Sequence, residues 1–520
     1  MLLGELIRDA GVRIVSEGGE RAGSVRICDL TEDSRTVLPG SMFFARRGLK
    51  SDGRRYIGEA IRAGASAVLT DPSVDPGALG RSRAALLHSE DVARSMAVIS
   101  ERFFGNPSRA LKVVGVTGTN GKTTIAHFIH RMLNLCGVRC GMIGTVTIDD
   151  GFSVSEATLT TPTATELSHA MSKMVEAGCA GAVLEVSSHA LDQQRVAGLD
   201  FDIGIFTNLS GDHLDYHGTM ERYADAKALL FEMLAPDRLA IVNADDPASE
   251  RMVRDCRARV IRCSLEKDAD CRGVVRRADR DGMAVTLHGG WGTIDAEVSL
   301  IGEHNLRNLL QAVCAVHALG VPVTKIARAV TLLEWAPGRL ERVEIEDGDP
   351  GFGVFVDYAH TDDALEKVLR GVRPFVGEGA RLRVVFGCGG DRDRTKRPRM
   401  ARVACELADD VVVTSDNPRT ESPPAIIDEI LAGVPDGASE RVTVEVDRER
   451  AIHQAIETSG PGDIVVVAGK GHENYQLLPD GLGGIVRRHF DDREVVRDAL
   501  AARAQRLRET GSGVGAGGIA

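Results

Sequence analysis

The chain has 520 residues, of which 43% are hydrophobic and 27% are charged, and its formal net charge is −12 at pH 7. This length exceeds one ordinary domain, and three domains are the natural expectation. The composition is that of a globular protein with large cores, and the acidic balance with scattered arginines argues against a nucleic-acid-binding surface.

Ten cysteines occur without a Cys-x-x-Cys pair, and no histidine cluster completes a zinc site with the closest two, Cys136 and Cys140. This usage is typical of free, mostly buried thiols in a reducing compartment. The N-terminus carries charges too early for a signal peptide, and no apolar run reaches membrane-spanning length. We therefore expect a cytoplasmic protein without a membrane span, acting as a monomer.

The first predicted domain spans residues 1–108 and is a small α/β unit. Its apolar runs are short, as at residues 41–45 and 65–69. An Asn-Pro-Ser turn cluster at residues 106–108 is typical of a boundary.

A glycine-rich motif, Gly-Val-Thr-Gly-Thr-Asn-Gly-Lys-Thr-Thr, occupies residues 115–124. It lies between an apolar run at residues 111–116 and a predicted helix at 124–135. A strand, a glycine-rich turn, a Lys-Thr pair and a helix are typical of a nucleotide phosphate loop. Lys122 would place a charge near the β/γ-phosphates, and Thr123 would offer a hydroxyl to Mg²⁺. The motif has Val116 where the general pattern has glycine, but it predicts ATP binding.

Residues 109–336 form the second predicted domain. Apolar runs at residues 182–186, 203–207 and 239–243 alternate with helical patterns, which indicates a mostly parallel sheet with crossover helices. A β-rich insert is predicted at residues 259–300, before a helix that begins near Asn305.

Two loops that follow these strands carry candidate metal ligands. Glu185 ends an apolar strand, and His213 and His217 lie in the next loop, so a carboxylate and an imidazole are expected near Thr123. The alternatives are a structural salt bridge for Glu185 and hydrogen-bonded loop histidines. On spacing alone, Lys227 is an ordinary solvated lysine of an amphipathic helix.

The third predicted domain spans residues 337–507, and a low-complexity tail at 508–520 is predicted to be disordered. Strand patterns at residues 354–357, 382–386, 411–414 and 464–468 alternate with helical ones, including 364–371 and 494–507. This alternation predicts a doubly wound fold with ligands at the carboxyl ends of the strands. Candidate loops there are residues 387–392, 416–419 and 469–473.

The loop Asp416-Asn-Pro-Arg419 has the chemistry of an amino-acid site. Its arginine fork suits a carboxylate, and Asp416 and Asn417 offer acceptors to an amine. The alternative is an Asx-type turn with a surface arginine. Gly-Arg-Leu-Glu at 338–341 and Asp-Tyr-Ala-His at 357–360 either reach the nucleotide, so that catalysis depends on domain closure, or make ordinary linker contacts.

In this order, the motifs resemble the Mur ligase family of peptidoglycan synthesis from residue 33 to residue 493. The resemblance implies a small N-terminal α/β domain, a central P-loop ATPase-like domain and a C-terminal Rossmann-like domain. It implies that ATP phosphorylates the D-glutamate carboxylate of UDP-N-acetylmuramoyl-L-alanyl-D-glutamate, and that an amine then displaces phosphate to form an amide. Asp416-Asn-Pro-Arg419 resembles the branch that adds meso-2,6-diaminopimelate.

The resemblance also implies catalytic roles for Lys122, Glu185, His213 and Lys227 and two Mg²⁺ ions. Thr123 and Glu185 would hold the first ion, and Glu185, His213 and a carbamylated Lys227 the second. ATP is expected on Gly118, Thr119, Asn120, Gly121, Lys122, Thr123, Thr124, His304, Asn308, Arg339 and Asp357. The UDP-linked substrate is expected on Ser34, Leu49, Lys50, Ser51, Thr160, Thr161, Ser187, Gln193 and Arg195. Diaminopimelate is expected on Arg392, Asp416, Asn417, Pro418, Arg419, Gly469 and Glu473.

Three alternatives differ in specific features. A lysine-adding ligase would have no use for Arg419, because lysine lacks a distal carboxylate. A folylpolyglutamate synthase-like ligase would lack the first domain, whereas residues 1–108 precede the loop here. A nucleotide-dependent scaffold without amide chemistry would not need the set of Lys122, Glu185, His213 and Lys227.

Overall fold

The computed structural model describes residues 1–16, 21–48, 51–79, 82–344 and 350–512. Within these ranges the chain forms three successive α/β units, each built on a mostly parallel sheet. The predicted α/β class is therefore confirmed. No helix in the described ranges combines the length and apolarity needed to cross a membrane.

The N-terminal unit is a sheet in the order β1-β5-β4-β3-β2, parallel except for β1. Its three inner strands are buried at every residue, which explains their continuous apolar runs. The strands are β1 Arg13–Ser16, β2 Asp29–Thr31, β3 Ser41–Ala45, β4 Ala67–Thr70 and β5 Ala85–His88, and the helices are α1 Leu3–Leu6, α2 Ile57–Ala63 and α3 Val92–Phe103, followed by α4 Pro107–Ala110.

The central unit contains a long sheet with a parallel middle and antiparallel ends. Its strands are β6 Lys112–Thr117, β7 Cys140–Ile143, β8 Thr147–Asp149, β9 Val154–Glu156, β10 Gly181–Glu185, β11 Ile203–Phe206, β12 Leu239–Asn243, β13 Arg259–Ser264, β14 Cys271–Asp279, β15 Gly282–Gly289 and β16 Gly292–Val298. Its helices are α5 Lys122–Leu135, α6 Ala164–Glu176, α7 Ser188–Asp192, α8 Leu214–His217, α9 Met220–Glu232, α10 Ser249–Met252, α11 Glu303–Ala318 and α12 Val323–Thr331.

In the order β16-β15-β14-β13-β12-β11-β6-β10-β7-β8-β9, strands β6, β10 and β11 are neighbours and run parallel. The loops that follow them therefore emerge at one sheet edge, where ligands of α/β folds bind. The predicted β-rich insert is not separate, because β13 pairs in parallel with β12 and β14 continues the same sheet.

The C-terminal unit has the sheet order β17-β18-β22-β19-β20-β21, parallel except for β17, and the two apolar cores of the unit lie on opposite faces of this sheet. A hairpin of β23 and β24 forms a sheet of its own. The strands are β17 Glu341–Arg342, β18 Gly353–Asp357, β19 Leu382–Phe386, β20 Asp410–Val413, β21 Val442–Val444, β22 Ile464–Ala468, β23 Tyr475–Pro479 and β24 Ile485–His489, and the helices are α13 Asp362–Val372, α14 Lys396–Leu407, α15 Pro423–Leu431, α16 Arg448–Glu457 and α17 Asp492–Ser512.

The last helix extends further than the sequence indicated. α17 continues through residues 508–512, which were assigned to the disordered tail. Residues 500–508 are rich in alanine, arginine and leucine, which are strong helix formers, and Arg503 anchors the helix by donating to the Ile456 and Ser459 carbonyls. Residues 513–520 lie outside the described residues.

Candidate active site

The phosphate loop joins β6 to α5 in a conformation that requires glycine at two positions. Gly118 has φ +147°, and a Cβ there would lie 1.9 Å from Thr207 Oγ1. Gly121 has φ +86° and caps α5, so the first N–H groups of that helix are available to an anion. Asn208 holds the loop from the next strand, accepting the Asn120 N–H on Oδ1 at 3.0 Å.

Two lysines converge on this loop, Lys227, which is buried, and Lys122, which is half-buried. Lys122 Nζ donates to the Gly118 and Thr119 carbonyls at 2.9 and 2.8 Å, and Lys227 Nζ donates to the same Gly118 carbonyl at 2.8 Å. Burial lowers the pKa of both amines, and the charge of Lys122 lowers that of Lys227 further, so that the pKa of Lys227 is well below its usual value. A site that places two ammonium groups together favours an anion.

The prediction that Lys227 is a solvated lysine was wrong, since the residue is only 1% exposed. It lies on the buried face of α9 with Tyr223, Leu230 and Phe231, at helical spacing. Its Nζ lies 4.4 Å from the centroid of the Tyr223 ring. The sequence pattern that indicates burial is a lysine within the apolar face of a predicted helix. Reading the lysine only by its distance from other charged residues does not detect that pattern.

Glu185 is a buried carboxylate held by neutral donors. It accepts from Thr123 Oγ1 at 2.9 Å, from the Thr145 N–H at 2.7 Å and from Thr145 Oγ1 at 3.0 Å, and it is 1% exposed. Among the described residues no cation forms an ion pair with it, so the salt-bridge alternative is not observed. A buried carboxylate beside a threonine hydroxyl fits a hard divalent cation such as Mg²⁺.

The two loop histidines differ in their surroundings. His213 lies at the start of α8 with φ +53°, and its ring lies 6.2 Å from that of Tyr223, which also contacts Lys227. Burial, together with nearby lysine charge, lowers the pKa of His213, while Asp212 opposes that shift. A neutral imidazole is the form that binds metals. His217 is instead hydrogen-bonded at 2.9 Å to Ser188 Oγ, as expected of a structural histidine.

A cavity of about 320 Å³ lies between the central and C-terminal units, beside the phosphate loop. Its lining includes seven of the residues predicted to bind ATP: Asn120, Gly121, Thr124, His304, Asn308, Arg339 and Asp357. Tyr358 and His360, of the motif predicted to reach the nucleotide, also line it. Sequence reasoning missed several other polar residues of the lining, including Asn208, Asp245, Asp246, Arg307 and Lys367.

Residues of the C-terminal unit reach the phosphate loop directly. Arg339 Nη2 donates to Thr123 Oγ1 at 3.0 Å, and the guanidinium stacks on the Tyr358 ring at 4.5 Å. Asp357 accepts the N–H groups of Leu340 and Ala359 at 2.6 and 2.7 Å, and burial raises the pKa of its carboxyl to about 6. The contacts of Arg339 are therefore more than ordinary linker contacts.

Asp363 also joins the two units, and sequence reasoning missed it. Its Oδ2 accepts from Asn120 Nδ2 at 2.9 Å, from Ser210 Oγ at 2.8 Å and from Lys367 Nζ at 2.8 Å. In the sequence it is an acid in the first turn of a helix, after the N-cap Thr361. That position is common for acids because of the helix dipole, so it gave no functional signal.

Five of the residues predicted to bind the UDP-linked substrate, those of the central unit, form one network beside Glu185. Thr161 Oγ1 donates to the Glu185 carbonyl at 2.8 Å and accepts the Ser187 N–H at 3.0 Å. Arg195 donates to the Thr161 carbonyl at 2.7 Å and to Gln193 Oε1 at 2.8 Å. Thr160 joins the network through a 3.1 Å hydrogen bond from Thr145 Oγ1.

The N-terminal unit has a cavity of about 680 Å³, lined by Ser34 and Ser51 among other polar residues. Ser34 Oγ donates to Glu59 at 3.2 Å, and Arg46 pairs with Glu32 at 2.9 Å on the same wall. The predicted site residues Leu49 and Lys50 lie outside the described residues.

A third cavity, of about 470 Å³, lies at the carboxyl edge of the C-terminal sheet. It is lined by six residues predicted to bind the amino acid, Arg392, Asp416, Asn417, Arg419, Gly469 and Glu473, and on the facing side by Asp212 and His213. Pro418, which was also predicted for this site, is not among the residues that line the cavity. Tyr358 and His360 line both this cavity and the nucleotide cavity, so the two cavities meet there.

The turn at residues 416–419 is held rigidly. Asn417 donates to Glu473 Oε2 at 2.7 Å and accepts the Leu477 N–H at 2.9 Å. Arg419 has φ +52° and donates to the Gly390 carbonyl at 2.7 Å, so it is a fixed part of the cavity wall rather than a surface arginine. Burial, with the nearby Asp416 charge, raises the pKa of Glu473.

Comparison with known proteins places the chain in one family. Three family models match successive parts of it: "Mur ligase family, catalytic domain" at residues 27–104, "Mur ligase middle domain" at 116–316 and "Mur ligase, glutamate ligase domain" at 338–471. Together they cover all three units.

Two relatives share the length of the chain and one name, UDP-N-acetylmuramoyl-L-alanyl-D-glutamate–2,6-diaminopimelate ligase. The one from Synechococcus elongatus is 44% identical over 92% of this chain and 94% of its own length, and the one from Gloeobacter violaceus is 45% identical over 93% and 95%. A solved structure of the same name has a TM-score of 0.67 and 34% identity over 95% of this chain and 100% of its own. The chain therefore belongs to the Mur ligase family.

Proposed function

We propose that this chain is an ATP-dependent, ADP-forming ligase that adds meso-2,6-diaminopimelate to the D-glutamate of UDP-N-acetylmuramoyl-L-alanyl-D-glutamate. The observation that carries the proposal is the meeting of the nucleotide cavity and the amino-acid cavity at Tyr358 and His360. A nucleotide phosphate and an amine bound there would approach each other. The reaction belongs to peptidoglycan precursor synthesis, which takes place in the cytoplasm.

The chemistry follows from the weakness of a carboxylate as an electrophile. The D-glutamate carboxylate attacks the γ-phosphorus of ATP, which gives an acyl phosphate and ADP. The amine of diaminopimelate then attacks the acyl carbon, and the tetrahedral intermediate collapses to the amide with loss of phosphate. Because carboxylate and triphosphate are both anions, the first step needs positive charge between them. Lys122 and the N–H groups at the start of α5 supply charge and donors on the protein side.

Two Mg²⁺ ions fit the donors present. Thr123 and Glu185 would hold one ion, and Glu185, His213 and a carbamylated Lys227 would hold the second. When bound, Mg²⁺ supplies the charge that lets the carboxylate approach the phosphate.

The carbamate on Lys227 is supported by the surroundings of its amine. Carbamylation requires a neutral amine, and burial lowers the pKa of Lys227 in that direction. The neutral amine joins its nitrogen to carbon dioxide and loses one proton, which gives a carbamate anion. Counted from the ammonium form, two protons are lost and a cation becomes an anion. The like-charge contact with Lys122 thereby becomes an attractive one.

The choice of diaminopimelate rests on Arg419. The acidic groups of Asp416 and Glu473 suit an ammonium group, and Asn417 holds Glu473 by donating a hydrogen bond to its carboxylate. Arg419, with Arg392 on the same wall, suits a carboxylate at the other end of the ligand. L-lysine has the ammonium groups but only one carboxylate.

The test is phosphate release from ATP with the UDP-linked dipeptide, comparing meso-diaminopimelate with L-lysine. We expect phosphate release with diaminopimelate. The mass of the UDP-linked product should exceed that of the substrate by the mass of diaminopimelate minus one water molecule. Release with lysine would contradict the proposed specificity and retain the ligase mechanism. Release with neither amine would contradict the proposed function.

A further inference from the structure

Three cysteines that are distant in the sequence converge in the core of the central unit. Cys263 lies on β13 and Cys271 on β14, directly opposite each other on parallel strands, and Cys314 lies on α11. The Sγ atoms of Cys271 and Cys314 are 3.8 Å apart, and all three Sγ atoms lie within 4.8 Å of one another. All ten cysteines of the chain lie in the described ranges, and they are free thiols.

The cluster is closed and its surroundings are apolar. Each of the three cysteines is 2% exposed, and the same core contains Leu287 and Leu310. Among the described residues this is the only group of three or more cysteine, histidine or acidic side chains with ligand atoms so close together. It lies apart from the phosphate loop and has no part in the proposed ligation.

Three converging sulfurs select thiophilic ions, because thiolates are soft ligands. Among thiophilic ions, burial favours those that leave the ion and its three thiolates with no net charge. Three thiolates around a monovalent ion carry a net charge of −2, and around a divalent ion −1. A net charge in an apolar core is strongly destabilising unless it is paired. A trivalent ion leaves the site neutral.

We propose that Cys263, Cys271 and Cys314 form a three-thiol site for a trivalent thiophilic ion, with arsenic(III) as its ligand. Arsenous acid is uncharged at neutral pH and reacts with three thiols, giving one arsenic trithiolate and three molecules of water. Three As–O and three S–H bonds break, and three As–S and three O–H bonds form. Arsenic remains trivalent, so no oxidant or reductant is needed.

Binding would link a helix to two strands. α11 also carries Asn308 and Gln311, which line the nucleotide cavity, and Cys314 follows Gln311 by three residues, about one turn. Because the folded chain holds the three thiols together, the ion binds the folded protein more tightly than the unfolded chain and so stabilises it. Arsenite is therefore expected to raise the melting temperature.

The experiment incubates the reduced, full-length protein with arsenite, removes the excess by gel filtration and measures bound arsenic. We expect one arsenic per chain, three sulfur neighbours by X-ray absorption spectroscopy and a raised melting temperature. Cys314→Ala and Cys271→Ala, which alter different elements, should each lose the bound arsenic. Cys405→Ala removes a buried thiol outside the cluster and should retain it.

Absence of bound arsenic in the native protein would overturn the proposal, and so would its retention by the Cys314→Ala variant. Since X-ray absorption is measured on the native protein, the test does not depend on the folding of any variant. A spectrum with only two sulfur neighbours would also overturn it. Parallel incubations with Cu(I) and Zn²⁺ test the charge argument, and tighter retention of either ion would contradict the trivalent assignment.

Discussion

At the scale of single residues, Lys227 is the residue whose burial bears most directly on the proposed reaction, because burial favours the neutral amine that carbamylation needs. Its amine contacts the same carbonyl as Lys122, and burial holds its pKa well below the usual value. Lys227→Ala should lower kcat by at least about a hundredfold, because the carbamate that we propose as a metal ligand is lost. A small carboxylate such as acetate should restore part of the activity by occupying the place of the carbamate.

The matched control for this prediction is Lys173→Ala, which removes a half-exposed lysine paired with Asp150 and should leave kcat unchanged. Full activity of Lys227→Ala without any added carboxylate would contradict the carbamate role.

Arg419 determines amine specificity in this account. Arg419→Ala should raise the KM for diaminopimelate about ten- to hundredfold, since a charge-assisted contact contributes about 1.5–3 kcal/mol. The KM for ATP should change little. Arg419→Lys keeps the charge but loses the planar fork, so it should remain impaired.

Steady-state kinetics with each substrate varied in turn measures this difference, with the exposed Arg402→Ala as control. Equal increases in the KM values for ATP and diaminopimelate would show that Arg419 acts on the whole cleft rather than on one ligand.

At the scale of helices and strands, the apolar runs predicted the buried strands well, because strands covered on both faces need apolar residues throughout. β3 and β12 occupy the predicted residues, and β10 and β11 begin or end within one residue of them. The location of the candidate loops at one edge of the sheet was predicted from the parallel arrangement of these strands. Lys227 and Asp363 were not predictable in this way, since burial and interdomain contacts depend on tertiary packing.

The convergence of the three cysteines was also not predictable from the sequence. Cys263 and Cys271 are eight residues apart, and Cys314 is 43 residues from Cys271. Spacing rules for metal sites assume ligands on one or two local turns. Here two strands and a helix bring the thiols together, which only the fold reveals.

One buried ion pair fixes α16 against α17. Arg448 and Asp492 are paired at 2.7 Å with both side chains fully buried, and Arg448 also donates to the Ala468 carbonyl at 2.9 Å. Arg448→Met should destabilise the C-terminal unit by about 3–5 kcal/mol, because Asp492 is left as an unpaired buried charge. Urea denaturation measures the loss.

The double variant Arg448→Met with Asp492→Leu should recover much of that stability, since it removes both charges. Arg381→Met, in an exposed pair with Asp410, should cost less than about 1 kcal/mol. If the single Arg448 variant were as stable as the Arg381 variant, the buried pair would not carry the contact between the helices.

At the scale of the whole molecule, we expect catalysis to depend on the contact between the central and C-terminal units. Asp363 accepts from Asn120 and Ser210 across that contact. Asp363→Ala should raise the KM for ATP about tenfold, which corresponds to a lost hydrogen bond to a charged group. Glu366→Ala is the control and should leave the KM unchanged, because Glu366 lies on the same helix and within the described ranges pairs only with Arg370.

Small-angle X-ray scattering with nucleotide present should show a larger radius of gyration for Asp363→Ala than for the control. An unchanged radius together with a raised KM would mean that Asp363 acts on the phosphate loop locally and not on domain closure.

The central claim is that one cleft activates a carboxylate with ATP and delivers an amine to it. The most direct measurement uses UDP-linked dipeptide labelled with ¹⁸O in the D-glutamate carboxylate, with meso-diaminopimelate as the amine. When an acyl phosphate is attacked by the amine, one labelled oxygen leaves with the phosphate. The account therefore predicts one ¹⁸O-labelled phosphate for each molecule of amide product. Unlabelled phosphate would show that water attacks ATP instead, and would contradict the account.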